Sequence, residues 1–192
     1  MPEKIKIFFW GILGALGALI IESLIAIIFD SLQSGVFLKT SWLMPTGVLI
    51  EEMFSLALVG KFFLITRHKA SFFSTALFFG LGFSLMEITF NILSSSSFSG
   101  NIFFSYLGLL LIHTATAGLF GYYFSKNNSG HFKFSGVLFF LSALLSHLAF
   151  NFSVLSDLSP WIVLGNPIFV LLLCFSANNY AIKDNFLPTR HI

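Results

Sequence analysis

The stretch "IFFWGILGALGALIIESLIAIIF", residues 7–29, decides the class of fold. Its only charged side chain is Glu22. About 20 consecutive apolar residues in a helix are enough to cross the hydrocarbon core of a bilayer. The run is too long for the apolar core of a signal peptide and lacks an obvious cleavage site, so we expect it to stay in the mature protein. The stretch therefore predicts a transmembrane helix.

The rest of the chain repeats this apolar pattern. Its 192 residues are 56% hydrophobic and 9% charged, whereas a soluble domain carries roughly a quarter charged residues. The apolar runs are long and do not alternate as barrel strands do, so they predict an all-α integral membrane protein. We expect a bundle of about six transmembrane helices in one membrane domain over residues 1–192. The predicted helices are residues 7–29, 42–65, 70–93, 102–124, 134–155 and 161–180.

Charge and cysteine content exclude several other classes of protein. The net charge of +2 is too small to indicate a nucleic-acid partner. The single cysteine, Cys174, excludes an internal disulfide and a cysteine metal cluster. The loops between the predicted helices are too short to fold alone. Any function must therefore reside among the helices, with the lipid bilayer as a constant partner.

The basic residues predict how the helices are oriented. Lysine and arginine accumulate on the cytoplasmic side of membrane proteins. An even number of helices then places both termini in the cytoplasm, and we expect a plasma (inner) membrane protein. Eight of the ten basic residues fall at one end of the predicted helices, namely Lys4, Lys6, Arg67, Lys69, Lys126, Lys133, Lys183 and Arg190.

Several polar side chains lie inside the apolar runs, where each charge costs at least a few kcal/mol. They lie roughly 6 to 16 Å below the predicted outer ends of four helices, at about 1.5 Å per residue. Four helices thus place polar groups in one layer of the outer half of the bilayer. The spacing of His147 and Asn151 puts both on one helix face. The candidate site residues are Glu51, Glu52, Glu87, His113, His147 and Asn151.

Other polar residues in the runs have simpler interpretations. For Glu22 and Glu87, a hydrogen bond to a neighbouring helix and a chemical role are equally well supported. Lys61 lies near the inner end of its helix, where its ammonium group can reach the interface. Asn166 precedes Pro167, which predicts a kink in the sixth helix. Cys174 is expected toward the inner side, away from the polar layer.

The candidate residues suit hydrolysis without a covalent nucleophile. A carboxylate beside a histidine can hold a water molecule and take its proton. Adjacent carboxylates repel, so one can act as a base while the other keeps its proton. A histidine and an amide on one face can donate hydrogen bonds to a developing oxyanion. One Glu and two His can equally bind a divalent metal with water in an open position. Spacing alone does not separate these two options.

The order of these motifs resembles the intramembrane proteases of the PrsW and CAAX-endopeptidase superfamily. "GLGFSLMEITFN" (80–91), "LLIHTATAGLFGYYF" (110–124) and "HLAFN" (147–151) resemble the PrsW motifs that follow its glutamate pair. The resemblance covers roughly residues 42–155. Where the family carries a basic residue after the pair, this chain has Ser55 and Leu56. Leu109 replaces a Phe that is typical of the CAAX branch.

The resemblance implies a glutamate-type intramembrane endopeptidase. Glu51 or Glu52 would activate water together with His113, and the family's first glutamate favours Glu51. His147 and Asn151 would form the oxyanion site. Glu87 would orient or tune the set. No cofactor is expected, with a divalent metal at the Glu/His cluster left open. The implied partner is a membrane-anchored protein or peptide substrate, such as an anti-sigma factor, a prenylated peptide or a bacteriocin-related peptide.

Two other functions use the same residues. Carboxylates within the membrane often mark ion paths, as in an ion-coupled transporter. The chain shows no internal repeat of the kind that many transporters have. An immunity or scaffold protein could instead keep a degenerate protease fold without cutting, and the absence of the basic residue at Ser55 and Leu56 permits that interpretation.

Overall fold

Six α-helices account for nearly all of the chain that the structure describes. The structure is a computed structural model that describes residues 3–32, 36–66, 72–94, 102–127 and 134–186. Within these ranges there is no strand, which confirms the prediction of an all-α protein. The helices are α1 (Glu3–Leu32), α2 (Val36–Thr66), α3 (Phe72–Ser94), α4 (Ile102–Lys126), α5 (Phe134–Leu155) and α6 (Pro160–Phe186).

Five of the helices, α1 and α3 to α6, are long and apolar enough to cross a membrane. This finding confirms a multi-pass membrane protein. Helix α2, which carries Glu51, Glu52 and Lys61, is not among the five. Its crossing and the placement of both termini in the cytoplasm therefore stay predictions. Of the basic residues behind the orientation, four lie outside the described residues, namely Arg67, Lys69, Lys133 and Arg190.

Some helices extend beyond the predicted spans. Helix α1 occupies Glu3–Leu32, α2 begins at Val36, and α6 continues to Phe186. Hydropathy marks only the apolar part of a helix, whereas backbone hydrogen bonds continue through polar residues. Helix α6 includes Pro167, where the sequence predicts a kink, and remains helical on both sides of it. Residues 70 and 71, predicted to begin the third helix, lie outside the described residues.

Helix α4 lies at the centre of the bundle and contacts α2, α3, α5 and α6. Helix α1 packs on the outside, mainly against α3 and also against α2. The main core contains large side chains that are almost fully buried, among them Phe79, Phe83, Phe120 and Tyr123. Large apolar side chains such as Trp161 and Leu93 are more than three-quarters exposed, at 83% and 80%. Such exposure suits contact with lipid.

Two glycines allow the backbones of α1 and α3 to approach closely. A Cβ atom on Gly11 would collide with the Phe79 carbonyl oxygen of α3. A Cβ atom on Gly82 of α3 would collide with the Phe8 carbonyl oxygen. Small residues at helix crossings are the usual way for membrane helices to pack without a hydrophobic driving force. This reciprocal contact fixes α3, which carries Glu87, against α1.

A short turn joins α5 to α6. Asp157 has φ of 49°, a left-handed conformation that short polar residues tolerate better than bulky ones. The Leu158 amide donates to the Ser153 carbonyl at 3.1 Å, and the Asp157 amide donates to the Val154 carbonyl at 3.1 Å. This pattern is a Schellman motif, which satisfies the last carbonyls of α5. Pro160 then begins α6, where its missing N–H costs nothing.

Candidate functional site

Four helices bring five of the predicted site residues into one buried cluster. Helix α2 contributes Glu51 and Glu52, α3 contributes Glu87, α4 contributes His113 and α5 contributes His147. His147 and Glu52 are fully buried, His113 is 1% exposed and Glu51 is 7% exposed. Glu87 is the most accessible, with 14% of its side chain exposed. We call these five residues the Glu/His cluster.

His147 lies between the two adjacent glutamates of α2. Its Nδ1 atom lies 2.9 Å from Oε1 of Glu52, which is a normal hydrogen bond. Its Nε2 atom lies 3.5 Å from Oε2 of Glu51. A carboxylate only accepts hydrogen bonds, so the proton of a neutral His147 is assigned to Nδ1. The Nε2 atom then presents a lone pair toward Glu51.

His113 has the same relation to a third glutamate. Its Nε2 atom makes a very close hydrogen bond to Oε2 of Glu87 on the neighbouring helix α3. By the same reasoning a neutral His113 carries its proton on Nε2, and its lone pair lies on Nδ1. Each histidine of the cluster is therefore held by its own carboxylate.

The two imidazole rings stand nearly perpendicular to each other. Their centroids are 4.7 Å apart and their planes meet at 87°. Phe83 packs on His113 with a centroid distance of 4.7 Å, and Phe150 lies 6.5 Å from His147. These aromatic side chains are almost fully buried. They give the cluster apolar walls and restrict how the imidazoles can turn.

Three residues bring possible metal-ligand atoms together at the centre of the cluster. Glu51, His113 and His147 each offer one ligand atom, and these atoms lie within 4.8 Å of one another. Oε2 of Glu51, Nδ1 of His113 and Nε2 of His147 are buried and make no hydrogen bond within the described residues. Buried polar atoms are nearly always satisfied. Unsatisfied buried atoms on three neighbouring residues are typical of a site that holds a water molecule or an ion.

The charge of the cluster is strongly asymmetric. Three glutamates and two histidines meet there, and in the described part of the chain none of these carboxylates is paired with lysine or arginine. Lys61, on the same helix as the glutamate pair, is exposed on another face. This exposure agrees with the predicted interfacial role of Lys61. A bound cation or protons must therefore offset part of the negative charge.

Glycine at position 80 allows α3 and α4 to meet beside the cluster. A Cβ atom there would collide with the carbonyl oxygen of His113 and lie 2.7 Å from the Cα atom of Thr114. Gly80, Ser84 and Glu87 are spaced i, i+4 and i+7, so they share one face of α3. The close backbone contact thus places Glu87 within reach of His113. Gly80 is the first residue of the motif at residues 80–91, but only the structure shows that it allows the two helices to pack closely.

Asn151 is the one candidate that the structure does not connect to the others. It lies one turn beyond His147 on α5 and is half-buried. Within the described residues, no hydrogen bond links its amide to the Glu/His cluster. Asn166, in contrast, has a clear structural contact. Its amide donates to the Ser146 carbonyl at 2.6 Å and so ties α6 to α5 beside His147.

Glu22 of α1 lies next to the cluster, although the sequence left its function undecided. It is close enough to Glu87 and His113 to interact with both electrostatically. Its Oε1 atom is buried and makes no hydrogen bond within the described residues. Glu22 also lines a cavity of about 250 Å³ between α1 and α2, which Phe90 of α3 borders. The sequence signal for this position was a single charged side chain in the apolar run 7–29.

Comparison of the chain with protein-family models, curated proteins and solved structures finds no match.

Proposed function

We propose that this protein is an intramembrane endopeptidase that hydrolyses a peptide bond of a membrane-anchored protein or peptide. One observation carries the proposal, namely that Glu51, His113 and His147 bring ligand atoms within 4.8 Å of one another in a buried position, and that each of the three has a buried nitrogen or oxygen without a hydrogen-bond partner among the described residues. These are the groups that water activation needs, and each histidine is held in place by a carboxylate.

The chemistry follows from the arrangement of the three atoms. A water molecule between them lies beside one carboxylate and two imidazoles. Its oxygen would bond to the substrate carbonyl carbon while its proton passes to the cluster, and the C–N bond would break as that proton reaches the leaving amine. The three atoms can activate water directly, with Glu51 as the base, or through a bound cation. Both routes lead to hydrolysis.

The roles of the remaining residues rest on their contacts and on the resemblance to PrsW-like proteases. Glu87 and Glu52 orient His113 and His147 through hydrogen bonds. Asn151 would donate a hydrogen bond to the oxyanion, which requires its half-buried amide to meet the substrate. Cys174 is not needed as a nucleophile, because its thiol contacts the Ala115 carbonyl at 3.4 Å and lies outside the cluster.

A membrane-embedded substrate suits the position of the site. Three of the four helices that carry the cluster, α3, α4 and α5, are apolar enough to cross a membrane. The cavity between α1 and α2 is lined mostly by apolar side chains, and its lining includes Glu22. An extended segment entering from the lipid between these helices would bring its peptide groups toward the buried cluster. A water-soluble substrate has no such apolar route.

We further propose that all six helices cross the plasma membrane with both termini in the cytoplasm. The basic residues of the described helix ends, Lys4, Lys6 and Lys126, support this orientation. The cluster then lies in the outer half of the bilayer. A reporter that works only in the cytoplasm should be active when fused to the carboxyl end, and a reporter that works only in the periplasm should be inactive there. Activity of a periplasmic reporter at that end would overturn the orientation without touching the chemistry.

The decisive experiment is a cleavage assay in membranes. The full chain is co-expressed with a panel of single-pass and peptide substrates, beside a Glu51→Gln variant. Glu3→Gln is the matched control, since Glu3 is exposed at the start of α1. We expect cleavage by the wild type and by Glu3→Gln, and at least a 100-fold loss for Glu51→Gln, within the range of general acid–base catalysis.

The outcomes separate the proposed function from its alternatives. Cleavage that survives Glu51→Gln would overturn the assignment of the site. Absence of cleavage by the wild type across the panel would overturn the endopeptidase. Ion uptake by reconstituted vesicles that depends on Glu51 would then favour a transporter, and neither activity would favour a scaffold or immunity protein.

A further inference from the structure

The hydrogen bonds of the two histidines determine what the centre of the cluster can bind. Because Nδ1 of His147 donates to Glu52, its Nε2 atom presents a lone pair. Because Nε2 of His113 donates to Glu87, its Nδ1 atom presents a lone pair. Oε2 of Glu51 is an acceptor as well. Each of the three residues therefore presents an acceptor without a hydrogen-bond partner among the described residues, and the three residues bring ligand atoms within 4.8 Å of one another.

One water molecule cannot satisfy all three acceptors while Glu51 is ionised. Water has two hydrogens, so it can donate to two of the three acceptors and leaves the third unsatisfied. A buried polar atom without a partner costs about 1 to 3 kcal/mol. One cation satisfies all three lone pairs at once and offsets the charge of the surrounding glutamates. The three residues are each more than nine-tenths buried, so bulk water cannot replace the missing partner.

We propose that Glu51, His113 and His147 bind a zinc ion, with Glu87 and Glu52 as the carboxylates that orient the two histidines. Zinc with nitrogen and oxygen ligands at about 2.0 to 2.2 Å is tetrahedral, which places neighbouring ligand atoms roughly 3.3 Å apart. The Glu51 and His147 atoms, at 3.5 Å, already have this separation. The ligand atom of His113 lies within 4.8 Å of the other two, so binding would require it to approach by up to roughly 1.5 Å.

The ligand set selects the ion. Two imidazoles and one carboxylate are typical of catalytic zinc, with the fourth position left for water. Calcium and magnesium prefer sites made of oxygen ligands alone. Metal-bound histidines usually donate their other N–H to a carboxylate, which fixes the ring and the tautomer. Both histidines here do so.

The inference concerns the proposed hydrolytic site, but only the catalytic role of the zinc ion rests on the proposed function. With zinc bound, Glu51 is a ligand and not the base, and the ion supplies the Lewis acid that activates water. The binding of the ion itself depends only on the three ligand atoms and their two supporting carboxylates.

The test is the metal content of the full chain, purified in detergent with an affinity tag that contains no histidine. We expect about one zinc per chain in the wild type and in the control Glu3→Gln, and far less in Glu51→Gln and His147→Ala. Glu87→Gln keeps the three ligands and loses only the supporting carboxylate of His113. In competition with a chelator of known affinity, the Glu87→Gln variant should bind zinc about 10- to 100-fold more weakly than the wild type.

A second measurement does not depend on any variant. The wild type is stripped with a chelator and its thermal unfolding is followed while zinc or magnesium is added. An ion that binds only the folded chain raises the melting temperature with concentration. We expect a rise with zinc and none with magnesium. Cobalt in place of zinc should give the visible absorption of a tetrahedral site.

The results distinguish this inference from the proposed function. A wild type without bound zinc and without stabilisation by added zinc overturns the inference, even if it cleaves its substrate, and the endopeptidase then stands. Zinc bound through Glu51 in a protein that cleaves nothing supports the inference and removes the endopeptidase. Equal zinc content in the wild type and in His147→Ala overturns the assigned ligands.

Discussion

Replacing Gly80 by alanine should destabilise the bundle and disturb the site at the same time. The new Cβ atom would lie 2.7 Å from the Cα atom of Thr114 and 2.9 Å from the carbonyl carbon of His113. Non-bonded carbon atoms prefer about 3.5 to 4.0 Å, so α3 and α4 must separate by roughly 0.8 Å at this point. Overpacking of this kind costs about 1 to 3 kcal/mol.

The expected shift can be measured with a reporter that the chain already contains. Cys174 is the only cysteine of the sequence and is 1% exposed, so a thiol-reactive dye in detergent reports its exposure on unfolding. For a chain of this size each kcal/mol corresponds to about 2 to 4 °C in the melting temperature. The Gly80→Ala protein should therefore melt roughly 2 to 12 °C below the wild type.

Gly165 provides the matched control. It lies within α6, is exposed, and has no atom within 4 Å of the position where a Cβ atom would be added. Alanine is favoured over glycine in a helix by about 0.5 to 1 kcal/mol, so Gly165→Ala should melt at the wild-type temperature or slightly above it. If Gly80→Ala melts like Gly165→Ala, the close contact of α3 with α4 is not as described.

Three further substitutions test single contacts. Glu52→Ala leaves the buried Nδ1 atom of His147 without its partner and should lower the free energy of unfolding by about 3 to 5 kcal/mol. The near-isosteric Glu52→Gln should lower it less, and equal melting temperatures for the two variants would contradict the contact. Asn151→Ala should change stability by no more than about 0.5 kcal/mol but lower the cleavage rate about 10²- to 10³-fold; full cleavage activity would remove Asn151 from the oxyanion site. Asn166→Ala loses the hydrogen bond to Ser146 and should cost about 0.5 to 1.5 kcal/mol in thermal unfolding, and unchanged stability would show that this bond is not a net contributor.

Much of the site could be predicted because charged and strongly polar side chains are rare inside apolar membrane-spanning runs. Charged and polar groups in apolar runs are few, and counting residues along each run gives their depth. That count placed Glu51, Glu87, His113 and His147 at one level, and the structure brings these four helices together there. Asn151 shows the limit of the same count, because equal depth and a shared face did not bring its amide into the cluster.

The pairing within the site was not open to prediction. Helix geometry separates adjacent residues by about 100°, so Glu51 and Glu52 cannot both point straight at the centre of the bundle. The structure resolves this conflict by placing His147 between them, with one nitrogen toward each carboxylate. Which histidine meets which glutamate depends on the rotation of α2 and α5 around α4. No local pattern in the sequence specifies those rotations.

The sequence by itself determined the six helices and the polar layer. Hydropathy and helix geometry are properties of each segment by itself. Long apolar runs with a few charges therefore define each helix, and the depth of its polar residues, without information about the other helices. Tertiary structure alone decided that Glu52 and Glu87 hold the histidines while Glu51 lies beside the free nitrogen of His147. That division depends on how closely backbones approach, as at Gly80 beside His113. Contacts of this kind arise from the packing of whole helices, so they cannot be derived from single positions of the sequence.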